Sequence, residues 1–266
     1  MLERILERKR QEVEERRVRL PLLELKAQAG GVPPPRNFRK AITRPMGLGT
    51  RGREGEIRVI AELKKASPSA GLLRAEFQPA SLARAYAEGG AVALSVLTDE
   101  PFFQGSLLHL REVKEAVPLP VLRKDFILDP YQLYESKASL ADAVLLIVAA
   151  LQPSELRDYV ALASDLGLHA LVEVHREEEL AQALEAGASL LGINNRDLHT
   201  FQTSLDVTFR LLPFIPPDRV VASESGIKGH DEVTKLKEAG VDAILVGEAL
   251  IREADPQVKL RELLGR

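Results

Sequence analysis

The chain of 266 residues contains no cysteine. That absence removes disulfides, thiolate zinc sites, iron–sulfur clusters and a cysteine nucleophile. Tryptophan is also absent and aromatic residues make up 5%, so a core has to be built from Leu, Val, Ile and Ala. Only 5 histidines are present, and none stands in a His-x-His or His-x-x-x-His pair, so metal catalysis and a metal cofactor are not expected. An excess of one charge is missing too: 36 Lys+Arg face 39 Asp+Glu, for a formal net charge of -3. This balance leaves no electrostatic footprint for nucleic acid or an anionic membrane. No apolar run reaches the length of a membrane span, and the opening MLERILERKR is too charged for a signal peptide. The expectation is a cytoplasmic protein without nucleic-acid or membrane partners. With 45% hydrophobic and 28% charged residues, the composition is globular.

What is present is a repeat. Glu88-Gly89-Gly90-Ala91-Val92-Ala93-Leu94, Glu185-Ala186-Gly187-Ala188-Ser189-Leu190-Leu191 and Glu238-Ala239-Gly240-Val241-Asp242-Ala243-Ile244 read alike. In each, a helical stretch stops at Gly, the residue that tolerates a left-handed C-cap. A nearly continuous apolar run follows, as in a strand buried on both faces. The pattern predicts strands over Ile57–Glu62, Ala91–Leu97, Pro120–Asp125, Asp142–Val148, His169–Val174, Leu190–Asn194, Arg219–Ser223 and Ala243–Val246. Helices are predicted over Pro79–Glu88, Leu107–Ala116, Pro130–Ala138, Pro153–Leu166, Glu177–Glu185, Leu205–Leu212, His230–Ala239 and Pro256–Leu264. Four of them start at Pro, where a missing N–H costs least.

Alternation of strand and helix implies a parallel sheet, and eight such strands close most simply into a (β/α)8 TIM barrel. An open doubly wound sheet is the competitor, but no Gly-x-Gly-x-x-Gly follows the first strand. The chain is expected to be a single barrel domain over 1–266, with 1–53 as an N-terminal extension. Leu2–Arg17 reads as a helix with a narrow apolar stripe of Leu2, Ile5 and Val13, and Val32-Pro33-Pro34-Pro35 separates it from the basic stretch Arg36–Arg53. Such a leader is either a solvated helix or a lid, and the expectation is a helical layer over the catalytic mouth.

Active sites of barrels lie at the C-terminal ends of the strands. Polar residues collect there: Glu62 and Lys64, Arg123 and Lys124, Glu173, Asn194-Asn195-Arg196, Ser223-Glu224-Ser225-Gly226 and Gly247-Glu248. A lysine inside an apolar strand is costly unless paired or functional. Two lysines and two glutamates meeting at one mouth can act as acid and base, each tuned by the other's charge. Ser225-Gly226 and Gly247-Glu248 occupy the places where the last two strands of a barrel offer backbone amides to a phosphate, and Arg196 can add a charged fork. Both glycines could instead simply shape tight turns. His175 is placed to orient a partner.

The blocks Ile60-Ala61-Glu62-Leu63-Lys64-Lys65, Leu94-Ser95-Val96-Leu97-Thr98, Leu122-Arg123-Lys124-Asp125-Phe126, Leu171-Val172-Glu173-Val174-His175, Gly192-Ile193-Asn194-Asn195-Arg196-Asp197-Leu198 and Ser223-Glu224-Ser225-Gly226-Ile227, in this order, resemble indole-3-glycerol-phosphate synthases. The likeness covers nearly the whole chain, leader helix included, and fits the free-standing form. Departures are Ala66 in place of a long basic residue, Ser139-Leu140-Ala141-Asp142 before the fourth strand and Ala249 where Ser is common.

The resemblance implies a carboxy-lyase of tryptophan biosynthesis that needs no cofactor and takes a small phosphorylated substrate. Its expected assembly is a monomer or a weak homo-oligomer. The substrate would be 1-(2-carboxyphenylamino)-1-deoxyribulose 5-phosphate, closed to an indole with loss of carbon dioxide and water. By similarity Lys124 is the general acid and Glu173 its partner. Lys64 would reach the carboxylate or act as a second acid, and Glu62 and Asn194 would orient the substrate. Arg196, Ser225, Gly226, Gly247 and Glu248 would hold the phosphate, and Phe103, Phe126, Leu145 and Ile147 would wall the aromatic ring. A Schiff-base aldolase using Lys124, another phosphate-binding barrel isomerase and a non-catalytic binding module are the alternatives.

Overall fold

The computed structural model describes residues 1–197 and 202–266; Leu198, part of one block above, lies outside them. Eight parallel strands form a closed barrel: β1 (Arg58–Leu63), β2 (Ala93–Leu97), β3 (Val121–Lys124), β4 (Ala143–Ile147), β5 (His169–Val174), β6 (Leu190–Asn194), β7 (Val220–Glu224) and β8 (Ala243–Val246). Each pairs with its neighbours in sequence, and β1 closes on β8 with Arg58 beside Ala243 and Ala61 beside Val246.

Successive side chains of a strand point to opposite faces. Ile60, Leu122, Leu145, Leu171 and Leu245 pack into the barrel interior. Val59, Ala61, Val121, Leu146 and Val172 pack outward against the helices. Both faces are therefore dry, which is why the runs in the sequence are continuously apolar. Helices begin at Pro79, Pro130, Pro153 and Pro256 as expected. Asp129 and Asp255 cap two of them by accepting from Tyr131 N–H and Gln257 N–H.

The leader is longer and more divided than the sequence suggested. Helix α1 runs over Leu2–Arg19, α2 over Leu22–Gly30 and α3 over Phe38–Ile42. Met1, Leu2 and Ile5 roof the pocket at the catalytic mouth. Leu25 and Ala29 of α2 then pack on Tyr131 and Ala138, on the outside of the barrel. Phe38 and Ile42 of α3 are completely buried among the interior side chains of the strands. Around them, Arg36 donates its backbone N–H to Asp142 at 2.5 Å, Arg44 donates its own to Asp242 at 3.1 Å, and Arg53 Nε lies 2.5 Å from Asp242.

Asp142 and Asp242 immediately precede β4 and β8, so this segment closes the end of the barrel opposite the mouth. The expectation of one layer over the mouth is corrected accordingly: α1 roofs it, and 36–53 plugs the other end. The reason is local. Phe38 and Ile42, four apart on a helix, make one apolar face that fills the open end, and two buried aspartates draw the flanking arginines to it.

Candidate active site

A cavity of about 490 Å³ opens among the C-terminal ends of the strands. Lys124 stands at its floor. Alternation turns Leu122 and Lys124 inward, while Arg123 points outward to Asp125 at 2.9 Å and Glu135 at 2.8 Å. Lys124 Nζ lies 2.5 Å from Glu224 Oε2 on β7, 3.7 Å from Glu62 Oε2 on β1 and 3.7 Å from Glu173 Oε2 on β5. Lys64 Nζ donates to Glu62 Oε1 at 2.7 Å. All three glutamates are buried. Two glycines make the room: a Cβ on Gly192 would fall 2.3 Å from Glu224 Oε1, and one on Gly247 would fall 2.5 Å from Glu62 Oε1.

One side of the cavity is apolar. Phe103 and Phe126 face it with ring centroids 6.2 Å apart, and Leu145 and Ile147 complete the wall. The other side is polar and carries Arg196. Ser225 and Gly226 both have positive φ, 66° and 81°, an unfavourable conformation for serine. Ser225 Oγ is tied to Asn194 Oδ1 at 2.9 Å, and Arg196 N–H donates to the same oxygen at 3.1 Å. Among the described residues no carbonyl accepts from the backbone N–H groups of Gly226, Gly247 or Glu248. The Arg196 guanidinium rests on Ser69 Oγ at 3.3 Å and Glu248 at 3.4 Å. Unpaired amides beside an arginine are groups that can hold an anion.

A profile of the indole-3-glycerol phosphate synthase family matches residues 2–263. An indole-3-glycerol phosphate synthase of Acidithiobacillus ferrooxidans is 51% identical over 263 residues, covering 99% of this chain and 98% of its own length. The chain belongs to the indole-3-glycerol phosphate synthase family. A family member from a Roseiflexus species is 50% identical over 275 residues, covering 100% of this chain and 98% of its own length. Among solved structures, 3-hexulose-6-phosphate synthase from Salmonella typhimurium superposes with a TM-score of 0.64 at 16% identity, covering 79% of this chain and 97% of that one. Thiamine phosphate pyrophosphorylase from Pyrococcus furiosus superposes at 0.60 with 18% identity, covering 78% and 93%. At such identities these likenesses show the barrel fold alone.

The electrostatics of this synthase site follow from burial and charge count. Burial opposes the Lys124 ammonium, but Glu224, Glu62 and Glu173 outweigh it and raise its pKa above the ordinary lysine value. Glu62 is likewise penalised by burial, yet Lys64 and Lys124 hold it below the usual carboxylate range. Glu224 goes the other way. Burial, with the repulsion of Glu173 and Glu62, outweighs Lys124 and pushes it up to about 7.

Every residue to which the resemblance assigns a role lines the cavity: Glu62, Lys64, Lys124, Glu173 and Asn194; Arg196, Ser225, Gly226, Gly247 and Glu248; and Phe103, Phe126, Leu145 and Ile147. Arg123, Asn195, Ser223 and His175, also named at the strand ends, do not. Glu224, the carboxylate nearest Lys124, was counted among the polar residues at the strand ends but given no role. Its signal was present: Val220, Ala222 and Glu224 share one face of β7, and that face points inward. Ser67 and Ser69, from the loop after β1, and Lys228 and Arg252 also line the cavity and were not anticipated.

Proposed function

We propose that Lys124 is the general acid of a ring closure that converts 1-(2-carboxyphenylamino)-1-deoxyribulose 5-phosphate into indole-3-glycerol phosphate, carbon dioxide and water. The observation that carries this reading is the Lys124 ammonium, held among three carboxylates at the floor of a pocket with one apolar and one anion-binding side. The ring carbon bearing the carboxylate attacks the ribulose carbonyl, and Lys124 protonates the oxygen as it gains charge. The carboxylate leaves as carbon dioxide. Glu173 then takes a carbon-bound proton while a lysine ammonium, Lys64 or reprotonated Lys124, protonates the hydroxyl, which departs as water, and the indole forms. Lys64 pairs with the substrate carboxylate or serves as a second acid, and Glu62 and Asn194 orient hydroxyl and amine groups. Arg196, Ser225 and the amides of Gly226, Gly247 and Glu248 hold the phosphate. Phe103, Phe126, Leu145 and Ile147 take the ring, and the α1 residues above them exclude water.

Schiff-base chemistry at Lys124 is disfavoured, because a nucleophilic lysine must be neutral and this one is held charged. The proposed setting is the cytoplasm, and the proposed assembly a monomer or a weak homo-oligomer. Indole fluorescence tests the assignment. Lys124→Met keeps the length of the side chain and removes the proton, and it should lower kcat by at least roughly 10²-fold with a smaller change in substrate affinity. Borohydride added with substrate should leave no adduct on Lys124. Near-normal kcat in the variant, or a trapped adduct, would overturn the acid assignment.

A further inference from the structure

His175, the residue just beyond β5, lies outside the lining of the cavity but touches Glu173 from behind. Its Nε2 is buried, has no hydrogen-bond partner and lies 3.4 Å from Glu173 Oε1, while the other oxygen of Glu173 faces Lys124. The opposite ring nitrogen, Nδ1, is 3.1 Å from Glu179 Oε2 on the helix Glu177–Glu185. That same oxygen accepts the backbone N–H of His175 at 2.7 Å, and Arg176 Nε holds the other Glu179 oxygen at 2.9 Å. The ring is thus gripped at Nδ1 and at its backbone, with Nε2 left for Glu173 alone. We propose that His175 is the positioning residue for Glu173: its ring, held from behind by Glu179, keeps the Glu173 carboxylate turned toward Lys124 to take the substrate's proton.

The charges around the ring agree with this. Glu173 and Glu179 face it directly, Glu224 acts from β7, and Arg176 reaches it only through Glu179. Burial opposes the imidazolium, but these carboxylates outweigh it and raise the pKa of His175 above the usual histidine value. The pocket itself holds three buried glutamates against Lys64 and Lys124. A cationic His175 supplies the missing positive charge.

The inference rests on Glu173 acting as a base, and the test keeps the two ideas apart. The readout is kcat and KM against pH. His175→Gln should shift the acid limb of kcat upward by about one pH unit, so that kcat is about tenfold lower on that limb. The high-pH plateau and KM should stay within about twofold of the parent, because His175 lies outside the cavity lining and touches no substrate. Glu179→Gln, which leaves the His175 ring in place, should shift the limb in the same direction by less. If His175→Gln fails to fold, Glu179→Gln decides. A pH-independent loss, or a limb that does not move in the variants that fold, overturns the role of His175. Glu173→Gln is the control: retained kcat in that variant overturns the base reading itself, whatever His175 does.

Discussion

Glu224 comes closer to the Lys124 ammonium than Glu62 or Glu173, at 2.5 Å against 3.7 Å, yet it is the carboxylate whose charge the fold tolerates least. Its Oε1 is buried with no hydrogen-bond partner, packed where only Gly192 leaves space. Its pKa rises from the ordinary 4.5 to about 7. A group whose folded pKa lies above its unfolded value stabilises the fold most below the unfolded value, and loses that contribution as pH rises through the folded one. The unfolding free energy of the parent, relative to Glu224→Gln, should therefore fall between pH 4.5 and just above 7. The fall should amount to at most about 3 kcal/mol. Urea unfolding of both proteins at a series of pH values reads this directly. Parallel curves across the window would show that Glu224 is not the proton-bearing carboxylate.

Elements show why some of the molecule was legible in the sequence and some was not. The barrel strands announced themselves because both faces are dry, and the helices because Pro stands at four of their starts. Placing the seventh strand at Arg219–Ser223 instead of Val220–Glu224 cost one residue. That residue was Glu224, which was counted with the polar residues closing the strand but left off its inward face and given no role. Lys9 was hidden for a different reason. On a helix as charged as α1 it looked solvated, but its side chain is completely buried. Its ammonium lies 2.9 Å from Glu12, 2.8 Å from Asp99 and 3.0 Å from Asp125. No local pattern reveals such a site, because Asp99 follows β2, Asp125 follows Lys124 on β3, and only the closed barrel brings them together. Lys9 stands one helical turn after Ile5, so it anchors the roof of the pocket to the strand that carries Lys124. Removing one partner of a buried ion pair strands the other, so Lys9→Met should destabilise the protein by about 3–5 kcal/mol. Equilibrium denaturation measures this, and a loss below about 1 kcal/mol would show that the network is not holding α1 in place.

At the scale of the whole molecule, the leader ties the two ends of the barrel together while serving a different purpose at each. At the mouth, Met1, Leu2 and Ile5 meet a pocket lined by charged side chains. At the far end, Phe38 and Ile42 pack with apolar interior residues such as Ile60, Ala93, Ala143 and Ala243. Barrels separate function and stability in this way: side chains at the C-terminal ends of strands do chemistry, and those at the N-terminal ends hold the sheet closed. The far end therefore offers a substitution that weakens the fold without touching the site. Phe38 is fully buried, and its loss opens a cavity among small alanines that cannot move in to fill it. Phe38→Ala should cost about 3–5 kcal/mol of stability, the range for truncating a buried aromatic. Lys124, its three carboxylates and the amides of Gly226 and Gly247 lie at the other end of the same strands, so kcat and KM at a temperature where the variant is still folded should match the parent. Thermal unfolding and steady-state kinetics on the same preparation test both halves. A Phe38→Ala protein with normal stability would show that α3 does not plug the barrel, and one with normal folding but a raised KM would show that the two ends are mechanically coupled.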